Sequence, residues 1–223
     1  DIHMSLKRSS SLIFLIFIIL ILSNSNSISL EKKIFNFNDG NLKKFKKHSI
    51  KGETNYEIIK ENNNAYLKAK ANGTASGLGV EKKIDLNETP FLNISWKLEK
   101  GLIGINEKSK KGHDFALRVF VIKSTGKLPW KKKVINYVFS SNEIKQSSWT
   151  SPYTKQSVDY VLSSLKDDKQ NKWISVKTNV KEDFQTIHKL NVNKIDGIAI
   201  MTDTDNSKQE AIGYYKDIYF SSK

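Results

Sequence analysis

Between Ile195 and Phe220 two apolar runs enclose the polar segment Asp203-Thr204-Asp205-Asn206-Ser207. Ile198-Ala199-Ile200-Met201 is apolar on both faces of a period of two, the pattern of a strand buried on both sides. The return run sets Ile212, Tyr214, Ile218 and Phe220 on one face, so the two runs are expected to form a buried hairpin with acidic residues at its mouth. Asp203 and Asp205, two apart, share a face there and mark a candidate site.

The same periodicity runs through the rest of the chain. Ala65, Leu67, Ala69 and Ala71 alternate with Tyr66, Lys68 and Lys70, and Leu92, Ile94, Trp96 and Leu98 line one face of the next such run. Residues 34–37, 115–123, 134–140, 157–164 and 173–180 continue the pattern, and Trp96 and Trp173 are expected in the core. Only 181–190, with Phe184, Ile187 and Leu190, has helical spacing. Turns rich in Asn, Gly, Ser and Lys fall between these runs at sandwich spacing, and no 20–50-residue repeat points to a propeller or solenoid. The expected fold is all-β: a two-sheet antiparallel β-sandwich of jelly-roll type with one short helix.

Residues 1–3 read as a cloning remnant, and residues 4–27 as a secretory signal peptide. Lys7 and Arg8 precede an apolar stretch over 12–22 and a small polar stretch ending at Ser27. The stretch is shorter than the roughly 20 residues a membrane span needs, although an uncleaved anchor is the alternative. Residues 28–223 are then expected to form one exported monomeric domain, periplasmic or secreted. The chain has no cysteine, which excludes disulfides, a lipidated cysteine, thiolate catalysis and cysteine metal ligands.

There are 37 basic residues against 23 acidic ones, a formal charge of +14. Such a surface attracts acidic polysaccharide, anionic lipid or nucleic acid, and export argues against the last. The lysine clusters at 43–47, 108–111 and 131–133 read as loops, where solvated charge competes with a polyanion groove or peripheral contact with an anionic envelope as the explanation. Only Arg8 and Arg118 are arginine. A guanidinium kept where positive charge is otherwise lysine points to a need for its planar, five-donor fork. Asp114, Ala116, Arg118 and Phe120 share one face of their run, and Arg118 is expected either to grip a ligand or to pair with Asp203 or Asp183.

Four segments together resemble a bacterial family of unknown function, DUF3047: 112–119, 134–140, 179–184 and 195–205, that is GHDFALRV, VINYVFS, NVKEDF and IDGIAIMTDTD. The resemblance extends to 214–220, YYKDIYF, and implies an exported sandwich similar to galactose-binding jelly rolls, without an established activity. The chain departs from the family pattern at His113, where the family has a first aspartate before Asp114, and at Phe139, where it has tryptophan.

The function expected is binding of carbohydrate, including acidic glycans, with Asp114, Arg118, Asp203 and Asp205 near the site and His113, Asn136 and Asp183 beside them. Trp130, Trp149 and Tyr153, in loop-like surroundings, offer rings for stacking on sugars. The alternatives are a polysaccharide hydrolase using two of the carboxylates, a lyase using Arg118 with His113 or His188 and Tyr137, and a purely electrostatic surface protein. No cofactor is expected. A structural calcium is conceivable, with Asp39 and Asp217 as ligands, while the run from Asp203 lacks the glycine and glutamate of an EF-hand.

Overall fold

The period-two runs become strands of two packed sheets in the computed structural model, which describes residues 29–128 and 130–223. The cloning remnant and signal peptide expected over 1–27 lie outside the described residues. In chain order the strands are β1 (Glu31–Phe35), β2 (Lys46–Lys51), β3 (Asn55–Glu61), β4 (Asn64–Asn72), β5 (Ala75–Asp85), β6 (Phe91–Lys100), β7 (Arg118–Ser124), β8 (Lys132–Ser140), β9 (Ser148–Thr150), β10 (Ser157–Ser164), β11 (Trp173–Asn179), β12 (Lys194–Asp203) and β13 (Glu210–Ser221). Helix α1, Val180–His188, follows β11. Asn179 caps its start by accepting from the Glu182 N–H, Lys189 ends it in the left-handed conformation, and Val180 and Phe184 bury its apolar face.

One sheet has the order β11-β6-β13-β4-β3, with β1 beside the distal half of β13; the other runs β2-β5-β12-β7-β8-β10-β9. All pairs are antiparallel except β8 with β10. The side chains of Trp96, Leu117, Tyr137, Ile200 and Tyr215 fill the space between the sheets. Polar bridges also tie the layers: Trp96 Nε1 donates to Ser163 Oγ at 2.9 Å, Tyr215 Oη donates to the Met201 carbonyl at 2.6 Å while accepting from the Arg118 N–H, and Tyr56 Oη donates to the Ser76 carbonyl while accepting from the Thr202 N–H.

Four details depart from the sequence expectation. β12 and β13 do not form a hairpin: each is interior to a different sheet, so 204–209 is an arch from one layer to the other. The shared face of Ile212, Tyr214, Ile218 and Phe220 is broken by a bulge at Asp217, whose φ is 45°. Ala211 and Tyr215 therefore point inward before the bulge, and Ile218 and Phe220 after it. The lysine segments 43–47 and 131–133 are not all loop, because Lys46 and Lys47 open edge strand β2, which needs only backbone pairing to β5, and Lys132 and Lys133 open β8 opposite β7. Trp173 is 41% exposed rather than in the core, since β11 is an edge strand and its first residue packs sideways on Tyr66 and Tyr214.

At Gly213, β13 passes close to the segment leading into β7. A Cβ there would lie 2.5 Å from Leu117 Cδ2 and 2.9 Å from the Ala116 carbonyl oxygen, so the two sheets approach too closely for any side chain.

Candidate functional site

β7 and β12 are neighbours, with Arg118 opposite Met201, and that register brings the start of β7 to the end of β12. Arg118 Nη2 donates to Asp203 Oδ2 at 2.6 Å, both side chains being almost wholly buried. The guanidinium lies between two rings, its Cζ 5.4 Å from the centre of Phe115 and 5.0 Å from that of Phe120. Of the two pairings expected for Arg118, the one with Asp203 forms. Asp183 instead sits in the first turn of α1, where it accepts from Tyr137 Oη and Thr178 Oγ1 at 2.7 and 2.6 Å.

Asp203 also accepts from the Phe115 N–H and donates its own N–H to the Phe115 carbonyl, pinning the segment before β7 to the end of β12. Burial pushes the Asp203 carboxyl up to about 7; Arg118 pulls it down, and Asp114 and Asp205 add to the rise. Asp114 is fully buried and organises the arch, accepting from the Asn206 N–H and Nδ2 and from the Ser207 N–H.

Asp114, Asp203 and Asp205 bring carboxylate oxygens within 4.8 Å of one another. The groups that already satisfy them are donors, namely backbone and amide N–H groups on Asp114 and a guanidinium on Asp203. A cation there would stand beside the Arg118 guanidinium, which already neutralises one of the three carboxylates. Asp39 and Asp217 stand outside this cluster. Asp39 accepts from Lys44 Nζ and the Asn41 N–H, and Asp217 at its bulge lies 3.8 Å from Lys216 Nζ.

A second buried network adjoins the first. His113 Nε2 is 2.8 Å from Asp159 Oδ2, and Asn136 Nδ2 donates to Asp159 Oδ1 at 2.6 Å. The parallel pairing of β8 and β10 places Asn136 and Asp159 side by side. Asp159 escaped the sequence reading. Its signal was visible all the same, a lone carboxylate in the apolar strand run Val158 to Leu162.

Both networks open on one cleft of about 380 Å³ over the solvent side of the seven-stranded sheet. Arg118, Asn136, His113, Asp203 and Asp205 line one end, and Tyr153 stands over it. Tyr153 is 55% exposed, its ring edge-on to His113 and its hydroxyl against Asn206 Oδ1 and the Lys110 carbonyl. Two residues of this lining each carry a buried polar atom without a hydrogen bond: the Arg118 Nε–H donor and the Asn136 Oδ1 acceptor. The other two expected rings stand elsewhere. Trp130 is exposed in the β7–β8 connection outside the cleft lining, and Trp149, in β9, packs on Phe115, Val138 and Val161. His188 does not line the cleft; its Nε2 donates to the Val134 carbonyl oxygen at 3.0 Å from the helix side.

The profile of one protein family matches residues 41–219, most of the chain. The chain belongs to the DUF3047 family, described as proteins of unknown function. No curated protein matches it. Among solved structures, the chain is similar to the family 30 carbohydrate-binding module of a cellulosomal cellulase of Clostridium thermocellum, with a TM-score of 0.50 at 11% identity over 87% of this chain and 98% of that one. The family 11 module of another cellulosomal cellulase of that organism aligns with a TM-score of 0.47 at 12% identity, over 87% and 95% of the two chains. At such identities the likeness is one of fold: this DUF3047 chain is a β-sandwich of the architecture found in carbohydrate-binding modules.

Proposed function

We propose that the chain is an exported glycan-binding protein whose binding site is the cleft at the junction of β7, β8 and the 204–209 arch. The observation that carries this reading is the pair of buried polar groups with unmade hydrogen bonds, Arg118 Nε and Asn136 Oδ1, on two residues that line the cleft. A buried donor or acceptor left without a partner costs about 1–3 kcal/mol, and a hydroxyl that both donates and accepts can satisfy either group. Sugars present such hydroxyls on a ring whose C–H face suits Tyr153 and Phe120. Support for export comes from the signal-like segment 4–27.

The cleft favours a neutral glycan over an acidic one. Its arginine is already engaged by Asp203, and the lining carries two cations, Arg118 and Lys132, against two carboxylates, Asp203 and Asp205.

The test is a glycan array probed with the protein at low and high salt, beside Arg118→Lys, which keeps the charge opposite Asp203 but loses the Nε–H. Selective binding that survives high salt and falls at least tenfold in the variant is expected. Equal binding to every polyanion, abolished by salt and indifferent to the substitution, would overturn the reading.

A further inference from the structure

Along its length the cleft changes character. β7 turns Val119 and Val121 into the core and presents Arg118, Phe120 and Ile122 to the cleft, while β8 presents Asn136, Val134 and Lys132. In the β7–β8 register Phe120 faces Asn136 and Ile122 faces Val134. The lining therefore passes from a polar end at Arg118 and Asn136 to an apolar strip of Phe120, Ile122 and Val134. Solvent-facing positions of a sheet are ordinarily polar, and here three adjoining ones are apolar, Phe120 and Ile122 half-buried and Val134 buried, so the cleft floor is apolar beyond Arg118. Four residues of strand separate Arg118 from Ile122, about 13 Å at roughly 3.3 Å per residue, and Phe120 and Ile122 are about 7 Å apart.

We infer that the cleft takes an amphiphilic sugar: a glycan unit carrying an apolar substituent, such as an acyl ester or an alkyl aglycone. The sugar ring occupies the polar end, and the substituent lies along Phe120, Ile122 and Val134. The inference rests on the glycan reading above and adds the substituent to it. At about 380 Å³ the cleft is at the small end of ligand sites, the scale of one substituted sugar or a disaccharide. A plain polysaccharide would leave the apolar strip wet, and a plain hydrocarbon would leave Arg118 Nε and Asn136 Oδ1 without partners.

The experiment is an NMR titration of the protein with methyl, butyl and hexyl β-glycosides of glucose, galactose and mannose, all below micelle-forming concentrations, with hexanol as a control. Affinity for at least one sugar should rise about fourfold per added methylene, from the hydrophobic contribution of a buried CH₂, and level off once the strip is covered. Shifts should appear at Phe120 and Ile122 with chain length and at Asn136 with every glycoside. In Ile122→Ser the ratio of hexyl to methyl affinity should fall severalfold. Glycosides that bind with the same affinity whatever the alkyl length would overturn the inference and leave the glycan reading standing. Failure of every glycoside to bind, or hexanol binding as tightly as its glycosides, would overturn both.

Discussion

Removing the guanidinium of Arg118 should expose the electrostatic balance of the site. Asp203 is buried with Asp114 and Asp205 nearby, and Arg118 is the only cation within ion-pair distance of it among the described residues. In Arg118→Met the side chain keeps much of its volume between Phe115 and Phe120, but an ionised Asp203 loses its partner. Breaking a buried pair in this way costs about 3–5 kcal/mol. The cost depends on pH, and its sign follows from the raised carboxyl. A folded-state value of about 7 against an ordinary 3.8 means that the native protein holds a proton longer than the unfolded chain. Wild-type stability from this group is therefore full below pH 3.8 and declines through pH 7, by on the order of 4 kcal/mol in all. Without Arg118 the carboxyl moves higher still, so the decline continues above pH 7. Urea denaturation of both proteins at pH 5 and pH 9 should show a penalty of about 3–5 kcal/mol at pH 9 and a much smaller one at pH 5, where Asp203 is protonated in both. Adding Asp203→Asn to Arg118→Met should recover most of the loss at pH 9. A penalty equal at the two pH values would refute the view that Arg118 serves to neutralise Asp203.

Glu107 offers an independent pH probe. Its buried carboxyl accepts from Ser140 Oγ and the Ser141 N–H, and burial pushes it up to about 7 from 4.5 despite both bonds. Stability from this group also falls as pH rises from 4.5 to 7, so Glu107→Gln should gain about 3 kcal/mol relative to wild type between pH 4.5 and pH 8, measured by denaturant unfolding. Gly213→Ala forces a methyl against Leu117 and the Ala116 carbonyl and should cost about 1–3 kcal/mol, read as a lowered midpoint with an unchanged denaturant slope.

Much of the fold was legible because a half-buried sheet imposes a period of two that no other element shares. Ala65 to Ala71 and Leu92 to Leu98 announce β4 and β6 by that period, and both bury the expected residues. The helix near 181–190 was legible from its own spacing. Edge strand β2 was not, because it is held by backbone pairing and its exposed side chains need no pattern. The candidate site was half legible. The rarity of arginine in a lysine-rich chain singled out Arg118, and the polar break after β12 singled out Asp203 and Asp205.

What joins these residues is decided by tertiary contact alone. Sequence distance does not reveal that β12 and β13 part into different sheets, so the arch reads as a hairpin until both layers are assembled. Nor does it reveal that parallel pairing of β8 with β10 sets Asn136 beside Asp159, or that Asp114 holds the arch while Asp203 receives the guanidinium. Strand propensity and alternation are local and can be read from neighbours along the chain. The partner of a buried charge is chosen by which strands lie side by side, and only the packed sandwich specifies that.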